Sequence, residues 1–300
     1  HTLHLPAMAA AAGIDLRWDD FARLSEIVPL LARIYPNGTA DVNHFHAAGG
    51  MGFIIRELLA AGLLDGSART VWGDTLADYA VEPKFGAGGL AFVPAPKASL
   101  DTQVLRPVET PHQPNGGLAM LAGNLGRAVI KVSAVDPAHH HITAPAAVFD
   151  NEADVKTAFS DGQLHRDVAV VVRNQGPKAN GMPELHSLTP ILGTLQDQGH
   201  KIMLITDGRM SGASGRVPAA IHITPEAMSG GAIGRIADGD MITLDATKGS
   251  LSVAANLENR PASRQPVSAG AFGRELFADM RDQAAPAEHG GGINMLRRYS

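Results

Sequence analysis

The sequence contains no cysteine. That excludes disulfides, a cysteine nucleophile and any thiolate-held zinc or iron–sulfur centre whose ligands come from this chain. Long hydrophobic runs are also missing. The longest, such as residues 5–14, are too short and too rich in alanine to cross a bilayer, and no signal peptide is visible, so no membrane partner and a cytoplasmic location are expected. There is no basic block either. A net charge of −5 with 45% hydrophobic residues argues against disorder and against a nucleic-acid partner. A small anionic substrate stays open, because a local site can be positive on an acidic protein. At 300 residues the chain can bury a core as one large domain or two small ones. It opens on His1 rather than methionine, which allows it to be a piece of something longer.

Residues 1 to about 65 read as helical. Trp18, Phe21, Leu24 and Val28 recur at helical spacing until Pro29, and Phe53 to Ala61 forms a second apolar segment closed by Gly62. Residues 75–115 hold many prolines and glycines ("EPKFGAGG", "VPAPKAS", "ETPHQPNGG") and read as a domain connection. Beyond them, "AVIKVSAV", "VAVVVRN" and "KIMLITD" are apolar runs of strand length, the pattern of a sheet buried on both faces. Thr189 and Pro190 make an N-cap and N1 pair, and Gly199 a stop, for a helix over 190–198. "GRIADGDMITLDATKGSLSVAAN" reads as a hairpin with turns at Asp238-Gly239 and Lys248-Gly249. Together these predict a compact α/β domain with a mixed sheet or barrel.

Two loops carry candidate chemistry. "KIMLITDGRMSGASG", 201–215, runs a strand into a glycine-rich turn whose backbone N–H groups can bind an anion or stabilise a negative side chain. The same turn also fits serines that only satisfy backbone groups. No GxGxxG, Walker lysine or GxSxG pattern is present, which takes support from nucleotide binding and ordinary serine hydrolysis. "RNQGPKANGMPELH", 173–186, packs Lys178, Asn180, Glu184 and His186 into a second loop, which lies beside the first if the two strands are neighbours. Glu184 is a hard oxygen ligand suited to Mg²⁺, and Lys178 can neutralise a carboxylate or phosphate. Solvated charges on a surface loop are the alternative.

Taken together, "HTLHLPAMAAAAGI", "NGGLAMLAGNLGRAVIKVSAV", "GPKANGMPELH" and "TDGRMSGASGRVPAAIHITPEA" resemble the dihydroxy-acid dehydratase and phosphogluconate dehydratase family over almost the whole chain. "PNGTADVNHFHAAGGMGFIIRELL" and "NQGPKANGMPELH" are most similar to its phosphogluconate branch. The resemblance implies the C-terminal half of an enzyme about twice this length, usually a homodimer, which removes water from a 2,3-dihydroxy acid to give a 2-keto acid. Its cofactor would be an iron–sulfur cluster of the 4Fe–4S type. It also implies a fold: a swivelling β/α barrel-like C-terminal domain at 106–300, preceded at 1–105 by a mainly helical remnant of the cluster-bearing domain plus linker. Such a remnant is expected to expose apolar helix faces.

By the same resemblance Ser211 is the base that takes the C2 proton, and Glu184 is a Mg²⁺ ligand. Lys178, Asn180, Arg209, Ser214 and Arg216 are candidates for gripping a sugar-acid phosphate, on charge and position. The cluster cysteines have no counterpart here, so the isolated chain is expected to be inactive. Two other readings stay open: the same chemistry on an unphosphorylated sugar acid or branched-chain dihydroxy acid, and a non-catalytic domain that binds an anion or packs on a partner. Asn174 departs from the family, where an aromatic residue is more usual. The histidines at 1–4, 43–46 and 139–141 admit a metal site, but "HHH" is read as an exposed polar loop, and His44 and His46 as lining an entrance or capping a helix.

Overall fold

The computed structural model describes residues 1–210, 215–263 and 275–293. The chain divides into two units, one of Arg23–Gly117 and one of His1–Ala22 with the chain from Leu118 onward. Within residues 1–65, read as helical, the helices are α1 (His4–Ala11), α2 (Trp18–Ile27), α3 (Val42–Ala47) and α4 (Gly50–Ala60). The expected segment 53–61 lies largely in α4, while 28–41 is not helical and holds isolated bridges at Leu30, Ala32, Ile34 and Ala40. At α3 the Asp41 side chain accepts from the backbone N–H groups of Asn43 (2.9 Å) and His44 (3.0 Å), while His44 Nδ1 accepts from the Asp41 N–H at 3.3 Å. That is a capping box with histidine in the reciprocal position, so His44 caps its own helix. Met51 and Val42 are among the exposed apolar side chains of this stretch.

The connection expected over 75–115 contains secondary structure after all. β1 (Val81–Gly86) and β2 (Gly89–Pro94) pair antiparallel from Val81↔Pro94 to Gly86↔Gly89. Prolines obscured them in the sequence. Proline is excluded from central strands, but a two-stranded ribbon has two open edges that tolerate Pro83 and Pro94.

The other unit is built on a closed barrel. Its elements are β3 (Leu118–Gly123), β4 (Gly126–Lys131), β5 (His141–Phe149), α5 (Glu152–Ser160), β6 (Val168–Val172), α6 (Pro177–Asn180), α7 (Thr189–Asp197), β7 (Ile202–Thr206), β8 (Ala219–Thr224), β9 (Met241–Asp245), β10 (Ser250–Val253) and α8 (Ala278–Asp282). The strand order is β10-β3-β4-β8-β7-β6-β5-β9. Strands β5 to β8 run parallel, and the remaining pairs are antiparallel except β10 with β3. The expected barrel-like α/β fold is therefore present.

Alternation along β6 and β7 explains why both read as unbroken apolar runs. Ala169, Val171, Met203 and Ile205 join the barrel interior. Val168, Val170, Val172, Ile202 and Leu204 face outward into a second core with Val155 and Ala158 of α5 and Leu192 and Leu195 of α7. Each such valine or leucine contributes roughly 1.5–3 kcal/mol by leaving water.

Helix α7 begins one residue earlier than expected, and Thr189 does not cap it: the 3₁₀ turn His186–Leu188 feeds straight into the helix, and Thr189 Oγ1 donates to Met210 Sδ at 3.8 Å. The hairpin β9–β10 forms with Gly249 (φ 64°) in the turn that joins its strands, whereas Gly239 (φ 85°) lies in the turn leading into β9, its N–H donating to the Ala146 carbonyl of β5. Residues 1–22 pack on this barrel. Leu3 and the fully buried Trp18 share a cluster with Val129, Met182 and Ala287, and Arg127 bridges Asp19 and Glu288 at 2.5 Å each. No described helix is long and apolar enough to cross a membrane.

Candidate functional site

Because β6 and β7 are adjacent and parallel, with Val172 opposite Thr206, the chain leaves both strands on the same rim of the barrel. In parallel sheets that carboxyl-end rim is where loops converge on ligands. The β6 loop turns at Asn174, enters the one-turn helix α6 behind Gly176 and Pro177, and leaves it through Gly181 in the left-handed region (φ 69°). Asn174 itself has φ 61°. Asparagine tolerates that backbone more readily than most residues.

The two loops meet at Glu184 and Arg209, which form an isolated parallel bridge: the Leu185 N–H donates to the Arg209 carbonyl at 3.1 Å. Arg209 Nε donates to the Met182 carbonyl at 2.7 Å, and its Nη1 lies 3.4 Å from Glu184 Oε2, with both side chains about one-third exposed (36% and 34%). Asn180 Nδ2 donates to Gln175 Oε1 at 2.9 Å. Lys178 is half-buried in α6 on the same loop. The structure thus brings Lys178, Asn180, Glu184 and Arg209 onto two contiguous loops.

Beneath them lie two carboxyls that sequence reasoning did not single out. Asp207 is fully buried and accepts main-chain hydrogen bonds from Gln175 (2.9 Å), Ala227 (2.9 Å) and Asn174 (3.3 Å). Burial pushes its carboxyl up to about 6 against the pull of those bonds. Glu226, also buried, accepts from the N–H groups of Lys178 (3.0 Å) and Ala179 (3.1 Å), and burial raises it as well. His222 completes this layer. It sits at φ 60°, donates its N–H to the Gly208 carbonyl at 2.9 Å, and burial drives its imidazole down to about 3, so it is neutral. The signals available in the sequence were an acid closing an apolar strand run, in "ITD", and a histidine interrupting one, in "AAIHIT".

The remaining candidates stand as follows. Ser211 and Ser214 lie outside the described residues. Arg216 pairs with Asp197 at the end of α7, and its carbonyl accepts from Gln196 Nε2 at 3.2 Å. His186 belongs to the 3₁₀ turn ahead of α7. His141, the last of the "HHH" run, opens β5 with its Nδ1 3.2 Å from Asp245 Oδ2, and His46 Nε2 is 3.8 Å from Glu82.

The residues of this chain do not fit an iron–sulfur cluster: there is no thiolate to ligate it, and no group of three His, Asp or Glu side chains suited to a metal occurs among the described residues. Glu184 alone offers one carboxylate, already turned to a guanidinium. A divalent cation needs several oxygens. The two loops place the cations Lys178 and Arg209 on one rim over a hydrogen-bonded main-chain frame, an arrangement compatible with an anionic ligand.

Two sequence families match this chain in order: the dihydroxy-acid/6-phosphogluconate dehydratase N-terminal family over residues 1–79 and the corresponding C-terminal family over residues 103–291. The chain belongs to the dihydroxy-acid/6-phosphogluconate dehydratase family. It is 55% identical over 299 residues to a phosphogluconate dehydratase of Rhizobium meliloti (strain 1021), covering 98% of this chain and 49% of the relative. It is 51% identical over 296 residues to one of Escherichia coli (strain K12), covering 97% and 49%. With a dihydroxy-acid dehydratase of Natronomonas pharaonis it shares 38% identity over 247 residues, covering 81% and 40%. The chain thus spans about half the length of the curated relatives it matches.

Proposed function

We propose that this chain supplies the barrel part of a hydro-lyase that converts 6-phosphogluconate to 2-dehydro-3-deoxy-6-phosphogluconate and water. The observation that carries this reading is identity above 50% to phosphogluconate dehydratases across nearly the whole chain, against 38% to a dihydroxy-acid dehydratase over a shorter stretch. The higher identity favours the sugar-acid phosphate over a branched-chain dihydroxy acid.

In this reading the paired loops bind and orient the substrate. Lys178 and Arg209 take its anionic groups, with Asn180 donating to a hydroxyl; Ser214 and Arg216 are further candidates for the phosphate end, and Arg216 has to leave Asp197 to serve. Ser211 is the base. Its alkoxide removes the C2 proton, the C–H electron pair becomes the C2=C3 bond, the C3–O bond breaks, and the resulting enol tautomerises to the 2-keto acid. A serine alkoxide needs stabilisation, and Arg209, two residues earlier in the sequence, is the candidate cation. The departing hydroxyl takes up a proton to leave as water. The family resemblance also implies a 4Fe–4S cluster, Mg²⁺ and a cytoplasmic homodimer; this chain contributes no thiolate to such a cluster, so the isolated chain is expected to be inactive.

The test is anaerobic 2-keto acid formation from 6-phosphogluconate. It compares this chain alone with a chimaera in which the N-terminal half of the Rhizobium meliloti relative precedes it, after iron and sulfide reconstitution. Activity in the chimaera alone, reduced by roughly 10²-fold or more in Ser211→Ala, is the expected result. Turnover of a branched-chain dihydroxy acid in preference to 6-phosphogluconate would reverse the substrate assignment.

A further inference from the structure

Four main-chain N–H groups of the β6 loop, those of Asn174, Gln175, Lys178 and Ala179, point to carboxylates of the protein itself. A turn of this kind followed by a helix start is ordinarily free to bind an external anion. Here Asp207 takes the first two amides and Glu226 the second two. Asp207 adds the amide of Ala227, so one carboxyl joins the β6 loop, the end of β7 and the segment after β8. The backbone is shaped around these bonds. A Cβ added at Gly176 would stand 2.2 Å from Glu226 Oε2, and one at Gly208 would stand 2.7 Å from Gln175 Cβ. By contrast, the Glu184–Arg209 ion pair is one-third exposed and screened by solvent.

We propose that Asp207 and Glu226 are positioning residues for the dehydration: two buried carboxyls that tie the β6 loop to the ends of β7 and β8 and so set where Lys178 and Asn180 stand relative to Arg209. Both carboxyls are buried and turned to main-chain N–H groups, so they act through the loops they hold. A consequence follows for the substrate. With these four amides occupied from within, they are closed to the substrate, and what the β6 loop offers its carboxylate or phosphate is the side chains of Lys178 and Asn180. Only the kinetic part of this inference rests on the dehydratase reading; the tie is a property of this chain's backbone.

Glu226→Gln tests it, because glutamine keeps the shape and one acceptor oxygen but turns an NH₂ toward the Lys178 and Ala179 amides. In the chimaera, KM for 6-phosphogluconate is expected to rise on the order of tenfold, the effect of misplacing one charge-assisted contact, with a much smaller change in kcat. Glu226→Asp, which restores the charge on a shorter arm, should recover part of that KM. In this 300-residue chain itself, amide hydrogen exchange in Glu226→Gln should accelerate over residues 176–182. Unchanged KM with unchanged exchange overturns the proposal, as does a loss of kcat that merely tracks lost folded protein. If the unmutated chimaera does not act on 6-phosphogluconate, the dehydratase reading fails. Exchange then decides the tie alone: acceleration confined to the β6 loop supports it, and none refutes it.

Discussion

The two sides of the barrel are built from the same kind of strand and end very differently. On the parallel side, β6 and β7 are buried on both faces, roofed by α5 and α7, and release their chains into the loops that carry Lys178, Asn180, Glu184 and Arg209. On the antiparallel side, β9 and β10 bury alternate residues and turn back at once through tight glycine-containing turns. The contrast gives a reason for the candidate residues to collect on one rim. A parallel connection must travel around the barrel, and the length it needs supplies loops with room for charged residues, whereas a hairpin consumes its ends in pairing.

The largest test of that contrast is packing. Leu204→Ala on β7 removes an outward side chain that is fully buried under the helices and should cost about 2–5 kcal/mol, measured by denaturant unfolding. Thr243 on β9, half-buried, shares a cross-strand hydroxyl hydrogen bond with Thr143 at 2.9 Å, and Thr243→Ala should cost no more than about 1 kcal/mol. Equal costs would mean that the helical roof contributes little.

Next in size is the pH response of the polar layer under the site. Asp207, raised from 3.8 to about 6, is protonated more readily in the folded chain than in the unfolded one. Its contribution is therefore full below about pH 4 and lost as pH rises through about 6. His222, lowered from 6.5 to about 3, works in the opposite sense: the unfolded chain takes up the proton first, so stability present above about pH 6.5 is lost as pH falls toward 3. The swings are on the order of 3 kcal/mol for Asp207 and 5 kcal/mol for His222, and between pH 6 and 4 they oppose one another. Asp207→Asn should steepen the loss of stability on acidification across that window, and His222→Asn, which suits the positive φ, should flatten or reverse it. Parallel slopes in the two variants would show that neither group titrates as its burial dictates.

Glycine substitutions separate function from fold on the two sides. A Cβ at Gly123, in the β3–β4 hairpin, would meet the Leu251 carbonyl at 1.9 Å, while at Gly176 it meets the Glu226 carboxylate. Gly123→Ala should lower stability by roughly 1–3 kcal/mol as β10 is pushed away. Gly176→Ala should cost a similar amount, because Glu226 is buried and held by two main-chain amides, but unlike Gly123→Ala it should also raise KM in the chimaera.

Much of the fold could be read from residue order because burial and secondary structure coincide there. The apolar runs at 168–172 and 202–206 can be little else than strands buried on both faces, and their adjacency follows from the helix between them. The hairpin β1–β2 escaped notice because its prolines are tolerated only at open edges, a property of sheet context. Trp18 reads as one more helical apolar residue, and nothing local says that it seats on the barrel with Leu3 and Val129. At the site, Lys178, Glu184 and Arg209 were conspicuous as charges in glycine-rich loops. Asp207, Glu226 and His222 were not, since a polar residue in or next to a strand pattern acquires meaning only once its burial and its partners on neighbouring strands and loops are known.

The smallest expected effect concerns Arg216, which charge and position alone make a candidate for the phosphate and which the fold pairs with Asp197 at the end of α7. Both side chains are more than half exposed, at 55% and 58%, so screening leaves the pair worth about 0–1 kcal/mol, and less at high salt. If it is only a surface pair, Asp197→Ala and Arg216→Ala should each change stability within that range and leave KM for 6-phosphogluconate unaltered. If Arg216 leaves Asp197 to grip the phosphate, the two variants must part company. Arg216→Ala would then raise KM, whereas Asp197→Ala, by freeing the guanidinium, would lower it. The geometry favours the first outcome, because Arg209 already stands on the shared rim, held through its Nε by the Met182 carbonyl with Nη1 beside Glu184, while Arg216 has its carbonyl and its guanidinium engaged by neighbouring residues of α7.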